Sequence, residues 1–208
     1  MSAGKFLPIF LLSSALVFGQ WKAEPVSAAP AGLPASLAGV IQKDGMKVTG
    51  ADGKIFCEIW LRSTPLPAST LEDSATLAVP HGTFMGVIHF PNKGADRRGQ
   101  PVNPGVYTMR LSFFPQNGDH QGVAPQRDFL LLSPIAADSD PATTPSFEAL
   151  TAASKKVSGT PHPAVFSMWK VDNDFKAGFD KMGDSDWVLQ TKIGDTPIAI
   201  ILIGRAEG

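Results

Sequence analysis

A short polar stretch in the second half of the chain carries residue types that could bind a ligand or move a proton. Asp119 and His120 lie in this stretch, and Arg127 and Asp128 follow just before an apolar run. A carboxylate next to an imidazole can transfer protons, and a guanidinium can hold an anion. We expect these four side chains to converge at one end of a sheet, and His162 is a fifth candidate binding residue.

The same residues have a purely structural interpretation. Asp119 and Asp128 can cap turns, and His120 can bond to a backbone carbonyl. Arg127 can pair with a carboxylate without binding any ligand. The sequence leaves both interpretations open and assigns no catalytic residue.

Three loops place two aspartates two residues apart, a spacing that brings carboxylate oxygens together as calcium sites require. These loops are Asp138–Asp140, Asp172–Asp174 and Asp184–Asp186. None of them continues into the glycine and the later glutamate of an EF-hand, so they are typical of solvated turns. Cys57 lies early in the chain with no histidine close behind it, which does not fit a blue-copper site. We predict no metal and no other cofactor.

Signatures of common enzyme classes are missing from the sequence. It has no G-x-S-x-G motif for a nucleophilic serine and no glycine-rich phosphate loop. Cys57 alternates with Ile55, Ile59 and Leu61, which predicts a small buried residue on a strand and not a reactive thiol. The pattern favours a non-catalytic protein.

Alternating apolar residues and turn signals divide the chain into strands. Asp52-Gly53 predicts a tight hairpin. Residues 105–114 alternate most regularly, and residues 198–203 are apolar on both faces, which is typical of a central strand. The predicted strand segments are 37–41, 46–62 (a hairpin), 83–90, 105–114, 128–133, 164–171, 187–193 and 198–203.

One helix is predicted between Ser146 and Val157. Ser146 is a favourable N-cap, Glu148 lies in the first turn, and Gly159 follows as a stop. The apolar stripe of this segment is thin, so we expect the helix to lie outside the sheets. Together these elements predict a mainly β fold, namely an antiparallel β-sandwich of roughly eight to nine strands with one peripheral helix.

The N-terminus has the pattern of a secretory signal. Lys5 precedes an apolar run from Phe6 to Phe18, which is shorter than the ~20 residues of a transmembrane helix. Small residues place candidate cleavage sites after Gly19 and after Ala28. The predicted division of the chain is a signal peptide and cleavage region over residues 1–28, a flexible Ala/Pro-rich lead-in over 29–36 and a single β-sandwich domain over 37–208.

Composition limits the partners of the protein. The formal net charge is −1, so we expect neither nucleic acid nor an anionic membrane surface as a partner. A single cysteine allows no internal disulfide. The signal pattern predicts a periplasmic or extracellular protein with no transmembrane segment in the mature chain. Its partner is expected to be another protein or a small-molecule ligand.

Several segments resemble an uncharacterised family of exported bacterial proteins with no established activity. The resemblance covers most of the chain after the predicted signal, and it implies export and a shared β-rich fold without implying any chemistry. The segments that carry it are RGQPVNPGVYTMRL (98–111), GDHQGVAPQRDFLLL (118–132), DSDP (138–141), SGTPHPAV (158–165) and the terminal GRAEG.

We therefore expect an exported, non-catalytic β-sandwich domain with a binding or accessory role in the cell envelope. The alternative is a hydrolase or metal-dependent enzyme built on the loop site around Asp119, His120, Arg127 and Asp128. That alternative requires these side chains to lie within hydrogen-bonding reach of one another in one cleft.

Overall fold

The computed structural model describes residues 21–69, 77–113 and 125–205. In these ranges the chain is mainly β, with twelve strands and two helices. The residues before Trp21, which hold most of the predicted signal, and the candidate residues Asp119 and His120 lie outside the described residues. Within the described ranges, no helix is both long enough and apolar enough to cross a membrane.

The fold is built from short strands joined mainly by turns and loops. The strands are β1 (Lys22–Val26), β2 (Gly45–Thr49), β3 (Ile55–Leu61), β4 (Phe84–Phe90), β5 (Gly94–Ala95), β6 (Pro101–Val102), β7 (Gly105–Phe113), β8 (Asp128–Pro134), β9 (Val165–Lys170), β10 (Gly178–Met182), β11 (Asp186–Ile193) and β12 (Thr196–Ile203), and the helices are α1 (Ala35–Ala38) and α2 (Phe147–Ser158).

Ten of the strands form one curled antiparallel sheet, in the order β1-β2-β3-β4-β7-β8-β9-β12-β11-β10. The edge strands β1 and β10 approach each other within 8 Å between Cα atoms, so the sheet is nearly barrel-shaped. This corrects the expected sandwich of eight to nine strands with one helix. The strands do not divide into two facing sheets, and β5 pairs only with β6.

Alternation along a strand cannot distinguish a sandwich from a curled sheet, because both turn one face of every strand toward the core. The predicted alternation is confirmed on β7, where Tyr107, Met109 and Leu111 all lie in the main core. The curled arrangement depends instead on pairing. Residues Val165–Ser167 of β9 pair with β8, whereas Met168–Lys170 pair with β12, so one strand joins two parts of the sheet.

β12 is buried on both of its faces, as predicted for a central strand. Ile198 and Ile200 belong to the main core inside the sheet. Ala199 and Ile201 lie on the outer face, where Trp169 packs against their cluster.

Cys57 lies on β3 and is fully buried in the main core, which confirms the interpretation of this residue as part of the core. Burial raises the pKa of its thiol well above the ordinary value. The thiol therefore stays protonated and is a poor nucleophile.

Several segments differ from the predicted elements. β1 lies within residues 1–28, predicted as the signal peptide and cleavage region, and β5 and β6 lie where no strand was predicted. The segment 37–41, predicted as a strand, contains the end of α1 and a single bridge from Ile41 to Arg62. Its Leu37 packs in a cluster with Trp60 on the outer side of the sheet. Residues 172–186, where no strand was predicted, contain β10.

Helix α2 has the caps that the sequence predicted. The Ser146 side chain accepts a hydrogen bond from the backbone N–H of Ala149 at 3.3 Å. Gly159 closes the helix in the left-handed conformation, with φ of 67°. Leu150 of α2 packs on the outer face of β8, against Phe129 and Leu131, so the helix lies outside the sheet as expected.

Candidate functional site

A cleft of about 170 Å³ lies between α2 and the outer face of β8 and β9. Its floor is the outer surface of the sheet, and its walls come from α2, from the loop that precedes β9 and from the β5–β6 loop. The residues that line it are Arg98, Phe129, Leu131, Phe147, Thr151, Lys155, Pro161, His162, Pro163 and Val165.

The helix contributes one face to this cleft. Phe147, Thr151 and Lys155 follow one another at four-residue spacing, so they lie on the same side of α2. Leu150 and Ser154 point into the packing with the sheet, and the Ser154 hydroxyl donates to the carbonyl of Ala164 at 2.9 Å. This bond attaches the helix to the residue that precedes β9.

Arg98 is held at the rim by a buried carboxylate. The side chain of Asp96 is 0% exposed and accepts from Nη2 of Arg98 at 2.8 Å. Asp96 also accepts from the backbone N–H groups of Gln100 at 3.0 Å and Val165 at 3.1 Å. Arg98 in turn donates to the carbonyl of Pro163 at 2.7 Å. The loop, the strand and the guanidinium are thus fixed relative to one another.

His162 reaches the rim on a loop that is held by hydroxyl groups. The Ser158 hydroxyl donates to the carbonyl of His162 at 2.6 Å, and the Thr160 hydroxyl accepts from the His162 N–H at 3.1 Å. The side chain of His162 remains exposed. The backbone of this rim residue is therefore fixed while its imidazole is free to meet a ligand.

The lining is apolar at its floor and basic at its rim. Lys155 is exposed, and none of the described carboxylates forms an ion pair with it. Arg98 uses Nε and Nη2 on Asp96 and Pro163, and within the described ranges its Nη1 makes no hydrogen bond. No acidic side chain is among the described residues that line the cleft.

The five residues predicted from sequence do not all meet in this cleft. His162 lines it, but Arg127 stacks over the ring of Phe113 at 5.3 Å. Asp128 is buried and accepts from the N–H of Leu77 at 3.3 Å. Asp119 and His120 lie outside the described residues.

The strand register separates Asp128 from His162. Leu131 pairs with Val165, and Asp128 precedes Leu131 by three residues, or about 10 Å at strand rise. His162 precedes Val165 on the antiparallel partner and therefore lies beyond Leu131, toward the other end of β8.

Sequence reasoning missed Arg98, Lys155 and the apolar floor. The residues of the cleft come from separate segments of the chain, so no local spacing brings them together. One available signal was the second stripe on the predicted helix, Phe147, Thr151 and Lys155, next to the stripe that packs on the sheet.

Asp138 and Asp140, from the first of the predicted aspartate pairs, form hydrogen bonds within the protein. The Asp138 carboxylate accepts from buried Arg110 and from the hydroxyl of Thr108. Asp140 accepts from the N–H of Ala142 at 2.9 Å, which is a turn contact. Across the described part of the chain, no three His, Cys, Asp or Glu side chains are grouped so that they could hold a metal ion.

Comparison of the chain with known protein families, with curated proteins and with solved structures finds no match.

Proposed function

We propose that the chain is an exported, non-catalytic protein that binds a small-molecule ligand in the cleft between α2 and the outer face of β8 and β9. The observation that carries this proposal is the combination of an apolar floor and a basic rim in one concave site. Ligand sites in proteins are typically concave and mostly apolar, with a few polar groups that fix the orientation of the ligand.

Hydrogen bonds hold the walls of the cleft in place, which favours a site that is formed before the ligand binds. Asp96 fixes both Arg98 and the start of β9, and Ser158 and Thr160 fix the loop that carries His162. A site whose walls are already ordered loses less conformational entropy when it binds. An accessory role in the cell envelope is part of the same proposal, because it combines this binding function with export.

The alternative enzyme has less support from the described residues. It is built on Asp119, His120, Arg127 and Asp128. Of these the structure describes only Arg127, which stacks over the ring of Phe113, and Asp128, which accepts from the N–H of Leu77. The non-catalytic function is therefore the one we propose.

The pattern at residues 1–19 supports export. The position of β1 bears on which of the two candidate cleavage sites is used. Cleavage after Gly19 would leave β1 in the mature protein, whereas cleavage after Ala28 would remove a strand that pairs along its whole length with β2. We expect export with cleavage after Gly19. Expression in a bacterial host, fractionation and N-terminal sequencing test this, and a full-length protein that stays in the cytoplasm would contradict it.

Chemical-shift mapping tests the binding site. Titrating the ¹⁵N-labelled protein with single-ring aromatic compounds should shift the amide signals of Phe129, Leu131 and Val165. The proposal predicts saturable shifts at these residues and no chemical conversion of the compounds. Shifts confined to residues remote from the cleft, such as those of the β1–β2 pair at the far edge of the sheet, would contradict it.

A further inference from the structure

We infer that the ligand of this cleft is a small organic carboxylate with a ring-sized apolar body, and this inference rests on the binding function proposed above. The body of the ligand occupies the apolar floor, and its carboxylate lies at the rim beside Arg98, Lys155 and His162. The argument depends on the size of the cleft, on the chemistry of its floor and on the charge of its rim.

The size of the cleft limits the ligand. Its volume of about 170 Å³ is close to that of an engineered apolar cavity of about 150 Å³ that binds benzene. One ring or a short branched chain therefore fills it. A protein partner would need a contact area of roughly 800 Å² on each side, which is far more than this cleft offers.

The floor selects an apolar body. Phe129, Leu131 and Val165 come from the sheet, and Phe147 comes from the helix. Two phenyl groups on different elements allow a ligand ring to pack edge-to-face or offset against either of them.

The rim selects a negative head group. Two basic side chains, Arg98 and Lys155, lie at the rim with the imidazole of His162, and the described lining includes no carboxylate. The charge of Arg98 is balanced by buried Asp96, but its Nη1 donor makes no hydrogen bond within the described ranges. Lys155 adds a positive charge without an ion-pair partner among the described carboxylates. A carboxylate can accept from both groups in charge-assisted bonds.

Three matched probes test the inference with the full chain. They are 3-phenylpropionate, the neutral 3-phenyl-1-propanol and the cationic 3-phenylpropylamine, each titrated by calorimetry and by amide chemical shift. We expect the carboxylate to bind at least tenfold more tightly than the alcohol and the amine to bind most weakly. The preference should shrink at high salt, because the Lys155 side chain is exposed to solvent.

Two lysine variants supply the matched control. Lys155→Gln should weaken binding of the carboxylate at least threefold and leave binding of the alcohol unchanged. Lys156→Gln changes a neighbouring exposed lysine that does not line the cleft, so it should leave both affinities unchanged.

The outcomes separate the inference from the binding function on which it rests. Equal binding of carboxylate and alcohol at the cleft, or tighter binding of the amine, would overturn the carboxylate inference and leave the site in place. Absence of binding by all three probes, or shifts only at residues far from α2, would overturn both.

Discussion

Arg110 and Asp138 form a two-point ion pair inside the protein, with Nη2 2.6 Å from Oδ1 and Nε 2.8 Å from Oδ2. Arg110 is 0% exposed and Asp138 is 7% exposed. The same guanidinium donates to the carbonyls of Gly82 at 3.1 Å and Thr143 at 2.7 Å. This single side chain attaches the segment that follows β8 to the outer face of β7.

Breaking this pair should strongly destabilise the protein. We expect Asp138→Asn to lower the free energy of unfolding by about 3–5 kcal/mol, because it leaves the Arg110 charge buried without a counter-ion. Urea unfolding followed by circular dichroism measures the change.

A surface ion pair provides the comparison for Asp138→Asn. Lys47 lies 3.3 Å from Glu24 on the outside of the sheet, and both side chains are partly exposed. Lys47→Gln should change the free energy of unfolding by about 1 kcal/mol at most. A similar cost for both variants would contradict the role given to the Arg110–Asp138 pair.

His81 should make the protein less stable in mild acid. Burial lowers its pKa, while the nearby Glu148 carboxylate opposes this shift. The unfolded chain takes up the proton at a pKa of about 6.5, whereas the folded protein resists it. The stability that the folded protein gains from neutral His81 is therefore fully present above about pH 6.5, and it is lost as the pH falls through the lowered pKa of His81.

Thermal unfolding of the wild type and of His81→Phe between pH 7.5 and 5.5 measures this effect. The ring of His81 already lies 5.7 Å from the ring of Phe113, and within the described ranges its buried Nε2 has no hydrogen-bond partner. Phenylalanine should therefore be tolerated and should reduce the loss of stability in acid. An identical pH dependence in the two proteins would show that His81 is not responsible.

Cys57 should not react with thiol reagents in the folded protein. It is fully buried and its pKa is raised, so neither access nor ionisation favours reaction. Ellman's reagent should label it only after the protein is unfolded in guanidinium, where one thiol per chain is expected. Rapid labelling under native conditions would place Cys57 outside the core.

Thr151→Val tests a hydroxyl in the wall of the cleft. Oγ1 of Thr151 is buried and has no hydrogen-bond partner among the described residues. Removing an unpaired buried hydroxyl should leave stability unchanged or raise it by about 1 kcal/mol. Thr160→Val is the matched control, because the Thr160 hydroxyl accepts from the His162 N–H, and it should lower stability. Loss of stability in Thr151→Val would indicate a partner for that hydroxyl.

Local signals in the sequence predicted the elements that depend on local chemistry. The Asp52-Gly53 turn, with φ of 76° at Gly53, and the caps of α2 at Ser146 and Gly159 lie where they were expected. These features depend on backbone preferences within a few residues. The edge strands β1 and β10 were missed because each pairs on one side only and lacks a regular apolar face.

The sequence predicted only part of the candidate site, because the residues that line it lie far apart in the chain. His162 was named from its residue type, but its neighbours Arg98 and Phe129 come from distant segments of the chain. Their proximity depends on α2 lying over β8 and on Asp96 bonding to β9, and both are long-range contacts. Arg127 and Asp128 were predicted from their charge, but in the structure Arg127 stacks over the ring of Phe113 and Asp128 accepts from the N–H of Leu77.

The near-closure of the sheet has a consequence for how the chain reaches its final shape. The strands that approach each other, Lys22–Val26 and Gly178–Met182, come from opposite ends of the described chain. Bringing such distant segments together carries a large loop-closure entropy, and folds dominated by such contacts form slowly. Until synthesis has passed Met182, the strand that comes to lie near the free edge of the first strand is missing, and that edge is open to pairing with a second nascent chain. The free edge of the first strand is therefore exposed to other chains for most of the time that the described chain takes to emerge.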